Sequence, residues 1–193
     1  SREVFGNIPT AVKVAFYVIL TVAFSLVGWL ASLRVRNWER GRPDNRHTTK
    51  ANVKRRAKNY RSGTWMKTLL RDPAAGLMHS SIYFGFLVLF IATVLLEINH
   101  QVPESLKFLH GDVYRAYSLT SDVFGVIFIT GIGWAIVRRY IQRPYRIRIK
   151  TKPEDAVILG TFLVIGVTGF LVEGLRIAVA GRPSFEEYSV VRW

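Results

Sequence analysis

The sequence predicts an all-α integral membrane protein, a helical bundle with four transmembrane helices, and three observations carry that prediction. Half of the 193 residues are hydrophobic and 13% are aromatic, which is too apolar for an ordinary soluble domain of this size. Four apolar runs are each about 20 residues long, the length a helix needs to cross a bilayer. The charge is also sorted along the chain. There are 27 Lys and Arg against 13 Asp and Glu, and 20 of the 27 lie in residues 34–71 and 138–152, between apolar runs. A net charge of +14 would suggest nucleic acid if it were spread over a soluble surface. Placed like this it is the positive-inside pattern of a polytopic membrane protein, and no nucleic-acid partner is expected.

The first span is read at about 8–33, with residues 14–33 free of charge. It is longer than a signal-peptide apolar core and no small-residue cleavage site follows it, so no cleavable leader is expected. The second span, about 73–98, has no charged residue before Glu97 and contains His79. Asp72 suits its N-cap and Pro73 its first helical position. The third, about 117–137, is interrupted only by Asp122, and the fourth, about 156–180, contains Glu173 and Arg176. Pro153, Glu154 and Asp155 mark the start of the fourth, with the acids at the positive end of the helix dipole.

Loop 34–72 holds 13 basic and 3 acidic residues, loop 138–155 holds 7 and 2, and loop 99–116 holds 2 and 2. The two basic loops are therefore expected in the cytoplasm and both chain ends outside, in one transmembrane domain of a cell inner or plasma membrane. Trp38, Tyr114, Tyr117, Trp134 and Tyr140 fall near the span ends, as an aromatic belt would. The stretch 50–61 reads either as a surface helix on anionic membrane lipid or as a solvated loop that sets topology. The chain has no cysteine, which excludes disulfides, cysteine-held iron–sulfur clusters and thioether-attached haem from it.

Polar residues at membrane depth are costly, so they mark candidate sites. His79 lies about two turns into the second span, near the cytoplasmic face. A neutral imidazole there suits an axial ligand of a b-type haem. Gly76, Ser80 and Gly85 would let a flat macrocycle approach the backbone, among the aromatics Tyr83, Phe84 and Phe86. The alternative is an interhelical histidine bonded to a neighbour. His100 and His110 are candidates for a second, outer haem, or are solvated like His47. The 21 residues from His79 to His100 correspond to about 31 Å of helix, so those two cannot share one haem from that helix. Asp122 falls in the first turn of the third span, where it would either cap the helix or line a quinone or proton site. Glu173 and Arg176 are i, i+3 on one face and could neutralise each other. Glu97 ends the second span at the interface. No catalytic triad, phosphate loop or zinc spacing is present.

Residues 79–100 (HSSIYFGFLVLFIATVLLEINH), 108–128 (FLHGDVYRAYSLTSDVFGVIF) and 154–178 (EDAVILGTFLVIGVTGFLVEGLRIA) resemble the membrane cytochrome b domain of the nitrate reductase gamma-subunit-like group. Within that group they look most like the membrane part of heterodisulfide-reductase-like iron–sulfur oxidoreductases, which include proteins proposed to pass electrons from electron-transfer flavoprotein to menaquinone. The resemblance covers about residues 70–180. It implies a cytochrome b module that exchanges electrons between a cytoplasmic iron–sulfur subunit, or a missing C-terminal domain, and membrane quinone. His79 matches the second-helix haem ligand of that pattern. Its usual partner sits on a helix after the fourth span here. A di-haem subunit of the group has a second histidine about ten residues further along the same helix. This chain has Leu89 at that position. The rivals are a non-redox membrane anchor that docks a soluble enzyme and a transporter component. The latter would need discontinuous spans and a midplane ion site.

Overall fold

The computed structural model describes residues 8–41, 47–67, 69–145, 149, 151–183, 186–187 and 189–191, without the side chain of Arg71. Among the described residues it contains helices and turns and no strand, and the all-α expectation holds. The chain divides into two compact units, residues 2–57 and residues 58–193. Among the described residues four helices are long and apolar enough to cross a membrane.

The first unit holds α1 (Thr10–Glu39) and the start of α2 (Lys50–Thr64). Three hydroxyl side chains of α1 are satisfied by its own backbone. The hydroxyls of Thr21, Ser25 and Ser32 donate to the carbonyls of Tyr17, Thr21 and Trp29 at 2.8, 2.8 and 2.7 Å. That arrangement lets them sit in an apolar helix without an unpaired donor. α2 carries the basic run Lys54, Arg55, Arg56, Lys58 and Arg61, so this stretch is helical rather than a loop.

The second unit is built around α3 (Pro73–Gln101), α4 (Gly111–Ile136) and α5 (Pro153–Val179). Each runs longer than the span read from hydropathy. α3 starts as predicted. Asp72 is extended, Pro73 is the first helical residue, and the Asp72 carboxylate accepts the Ala75 N–H at 3.3 Å. That bond, with help from Arg138, holds the Asp72 carboxyl below the usual carboxylate range. A 3₁₀ turn, Leu69–Arg71, precedes the helix. Asn99 closes the α3–α4 connection, its Oδ1 accepting the N–H groups of Phe108 and Leu109, both at 3.0 Å.

α4 packs between α3 and α5, and small residues set how closely. A Cβ on Gly85 would meet Phe128 Cβ at 2.8 Å, and one on Gly131 would meet Ile82 and Ser81 at 3.0 Å. On the other side, a Cβ on Gly125 would meet the Phe170 ring at 2.7 Å and one on Gly166 would meet Ile129 at 2.8 Å.

α4 does not stop cleanly. It loosens into a π-helical turn, Val137–Gln142, closed by Arg143 in the left-handed region at φ 43°. Two consecutive arginines in that turn reach different helices. Arg138 pairs with Asp72 at 3.1 Å and Arg139 with Asp155 at 2.9 Å. Asp155 also accepts the Lys152 N–H at 2.8 Å, capping α5.

Candidate functional site

Among the described residues of the second unit, two of the cavities are neighbours divided by phenylalanines. Phe86 of α3, Phe128 of α4 and Phe162 of α5 form a triangle with ring-centre separations of 6.5, 6.2 and 6.0 Å. Each ring lines both cavities.

The cavity toward the basic end holds about 380 Å³ and is lined by His79, Ile82, Tyr83, Met66 and Leu69 besides the three rings. His79 is exposed at its edge. It shares a helix face with Ile82, Tyr83 and Phe86, spaced at three and four residues, so the α3 backbone aims the imidazole into this space. Two features expected to help a macrocycle do not do so. Gly76 is buried, and a Cβ there would meet the Leu69 and Leu70 backbone at 2.7 Å. Gly85 is taken up by Phe128. Both glycines serve packing, so the approach to the backbone expected from them is withdrawn. A single imidazole at the rim of an apolar cavity suits one axial position of a haem iron. Within the second unit the other histidines lie at the opposite end, His100 in the last turn of α3 and His110 at the N-cap of α4. Among the described residues no group of three or more His, Asp or Glu could hold a metal ion.

The second cavity, about 420 Å³, is a groove between α3 and α5 floored by α4. Its walls are Phe86, Leu89 and Phe90 from α3 and Phe162, Ile165 and Phe170 from α5. Asp122 and Glu173 border it, with Thr93 and Ser121. Leu89 thus belongs to an apolar wall.

Asp122 departs from one sequence expectation. α4 begins at Gly111, so Asp122 lies about three turns into it and cannot cap it. It is 1% exposed, and its carboxylate accepts the Val190 N–H at 2.8 Å. Glu173 and Arg176 do approach, at 3.7 Å, but Arg176 has a nearer carboxylate. Glu186 lies 2.7 Å from the guanidinium, and its Oε1 also accepts the Tyr114 hydroxyl at 2.7 Å. The sequence reading missed Glu186. Its only signal was an acidic pair, Glu186–Glu187, shortly after the helix-stopping Pro183.

No protein-family model matches the chain, and no solved structure matches it. Curated relatives do. The chain is 36% identical over 110 residues to EtfAB:quinone oxidoreductase of Syntrophomonas wolfei, covering 57% of this chain and 15% of that protein. It is 28% identical over 116 residues to one of the subunits of dihydromethanophenazine:CoB–CoM heterodisulfide reductase from Methanosarcina mazei, covering 58% of this chain and 44% of that protein. A third relative is the "Probable iron-sulfur-binding oxidoreductase FadF" of Bacillus subtilis, 28% identical over 82 residues, covering 42% of this chain and 12% of that protein. The chain thus spans less than half the length of these relatives, a quinone oxidoreductase, a heterodisulfide reductase subunit and an iron–sulfur-binding oxidoreductase.

Proposed function

We propose that this chain is the membrane, quinone-interacting portion of an oxidoreductase, a b-type cytochrome module that passes electrons between a cytoplasmic iron–sulfur partner or domain and membrane quinone. The observation that carries the reading is the groove between α3 and α5, apolar along its walls and bordered by Asp122 and Glu173. A quinone has the same division, with an apolar tail and a head whose two oxygens exchange protons on redox change. The names of the relatives support the electron-transfer aspect of the reading, and that of the first supports both quinone and an electron-transfer flavoprotein partner. Menaquinone is the quinone that the nitrate-reductase-gamma-like resemblance implies.

In this reading His79 holds a haem iron through one imidazole nitrogen, and the group would supply one-electron exchange when bound. Ile82, Tyr83 and Met66 shield that site, while Phe86, Phe128 and Phe162 keep the groove apart from it. A second ligand to that iron would come from outside residues 58–193. His100 and His110, at the other end, would serve a second haem only with partners from outside residues 58–193. The basic segments face the cytoplasm, where Arg55, Arg56 and Lys58 on α2 attract an acidic soluble partner or anionic lipid.

Two measurements test the reading. His79→Ala is expected to remove the low-spin haem signal from reduced-minus-oxidised spectra while the protein still inserts in the membrane. Retention of the full spectrum would refute the assignment. Glu173→Gln is expected to slow quinone turnover and leave that spectrum intact, and unchanged kinetics would reduce Glu173 to a structural role. Membranes with no haem absorbance at all would favour a non-redox anchor.

A further inference from the structure

The end of the second unit away from the basic segments holds an ionisable group that the quinone reading leaves unused. Glu186 follows Pro183 and is 1% exposed. Its Oε1 is engaged by Tyr114 and Arg176. Its Oε2 is buried without a hydrogen-bond partner among the described residues, and so are Ser118 Oγ and Arg176 Nε. Leaving such groups dry costs about 1–3 kcal/mol each. Internal water relieves that cost where several polar groups converge. Ser118 stands where such water would connect the ends of a stripe. Tyr114, Ser118 and Asp122 follow at i, i+4 and i+8 on one face of α4, about 6 Å of rise apart, and all three are buried. Asp122 borders the groove at one end of the stripe, and Tyr114 bonds Glu186 at the other.

The carboxylates there lie close to one another. One guanidinium, Arg176, faces two carboxylates, Glu186 at 2.7 Å and Glu173 at 3.7 Å.

We propose that Glu186 is a proton-carrying group, linked through Ser118 and internal water to Asp122, and that this stripe moves protons between the groove and the aqueous face at that end. The inference rests on the reading of the groove as a quinone site. Oxidation of a hydroquinone releases two electrons and two protons. The electrons leave for the redox partner of the proposed module. Each O–H bond of the head breaks toward Asp122 or a water against it. The Ser118 hydroxyl accepts one proton and donates its own onward, and Glu186 Oε2 takes up a proton and releases it to solvent. Quinone reduction runs the same transfers in reverse, with the two electrons entering from the same partner.

The test uses membranes containing the complete oxidoreductase and a short-chain naphthoquinone couple as probe. Glu186→Gln is expected to lower kcat by about tenfold or more with KM within about twofold of wild type, and Glu186→Asp to restore most of the rate. Ser118→Ala, a milder change that keeps the ion pairs, is expected to lower kcat about threefold. Redox-induced infrared difference spectra of the wild type are expected to show a deuterium-sensitive carboxylic-acid carbonyl band that Glu186→Gln removes. Wild-type kcat in folded Glu186→Gln, or the same infrared band in that variant, would overturn the proton site. Wild-type membranes that turn over no naphthoquinone, while keeping the signals of the redox partner, would overturn the quinone reading itself.

Discussion

The two ends of the second unit solve the same problem in opposite ways. At the basic end, Arg138 and Arg139 leave the π-helical turn of α4 and meet Asp72 and Asp155, acids that already cap α3 and α5. These pairs are open to water, with side chains up to 58% exposed. At the other end, Arg176, Glu186, Tyr114 and Asp122 bond across the fold, and Glu186 and Asp122 are 1% exposed. One end fastens helices at a surface where a broken pair is rehydrated. At the other, Glu186 and Asp122 are closed off from water, and the polar groups around them depend on one another. Function follows the same division in the proposed reading, with His79 near the exposed end and proton chemistry at the buried one.

The largest effect that would sharpen this contrast is at Arg176. Arg176→Met leaves the buried Glu186 without the guanidinium 2.7 Å away, and a loss of about 3–5 kcal/mol is expected, read as a fall in detergent-solubilised unfolding temperature. A loss below that of a surface pair would erase the distinction between the ends. Phe128→Ala comes next. Phe128 is 4% exposed and stands between the two cavities, so the substitution should cost about 3 kcal/mol and join them. Binding of a larger apolar probe in the variant would report the merged space.

Gly85→Leu puts a side chain where only 2.8 Å separates the site from Phe128 Cβ. Forcing α3 off α4 should cost about 1–3 kcal/mol, with disturbance of both cavities rather than one. Arg139→Met, at a pair with side chains 30% and 26% exposed, should cost about 1 kcal/mol or less by the same unfolding assay. A cost equal to that of Arg176→Met would break the comparison.

The smallest effect concerns pH. The Asp72 carboxyl is held below its ordinary range by the Ala75 N–H and by Arg138. A depressed carboxylate stabilises the fold above its unfolded-state pKa, about 3.9. The contribution is lost as pH falls through the lower folded-state value. Unfolding midpoints of wild type and Asp72→Asn should therefore differ at neutral pH and converge on acidification. A gap that persists well below that range would assign the difference to something other than this charge.

The exposed end was largely legible in the sequence, because its devices are local. Asp72 before Pro73, and Glu154 and Asp155 after Pro153, announce helix starts through bonds that span three residues. The four apolar helices follow from hydropathy in the same way. His79 could be singled out because an imidazole is rare in an apolar run, and it does line a cavity. Its neighbours Gly76 and Gly85 were misread. Small residues permit close approach, and whether a helix, a turn or a ligand uses that space is decided by what packs there.

The buried end was legible only in fragments. Asp122, Glu173 and Arg176 stood out as charges in apolar runs, yet their partners could not be deduced. Asp122 meets Val190, 68 positions away, and Tyr114 meets Glu186 across 72. A capping role for Asp122 failed because hydropathy starts a helix where the apolar run starts, whereas the backbone starts at Gly111, after His110 in an extended conformation.

Composition, charge placement and periodicity by themselves determined the helical class, the number of long apolar helices and the residues whose burial is costly. These follow from bilayer thickness and from the expense of exposing peptide groups to lipid, and neither needs a partner to be known. Only the tertiary structure decided that three phenylalanines separate the cavities, that Leu89 walls a groove, and that Glu186 rather than Glu173 is the nearer carboxylate to Arg176. Those outcomes depend on which faces of α3, α4 and α5 meet and at what depth, and ångström-scale contacts between distant segments are set by packing that no local pattern encodes.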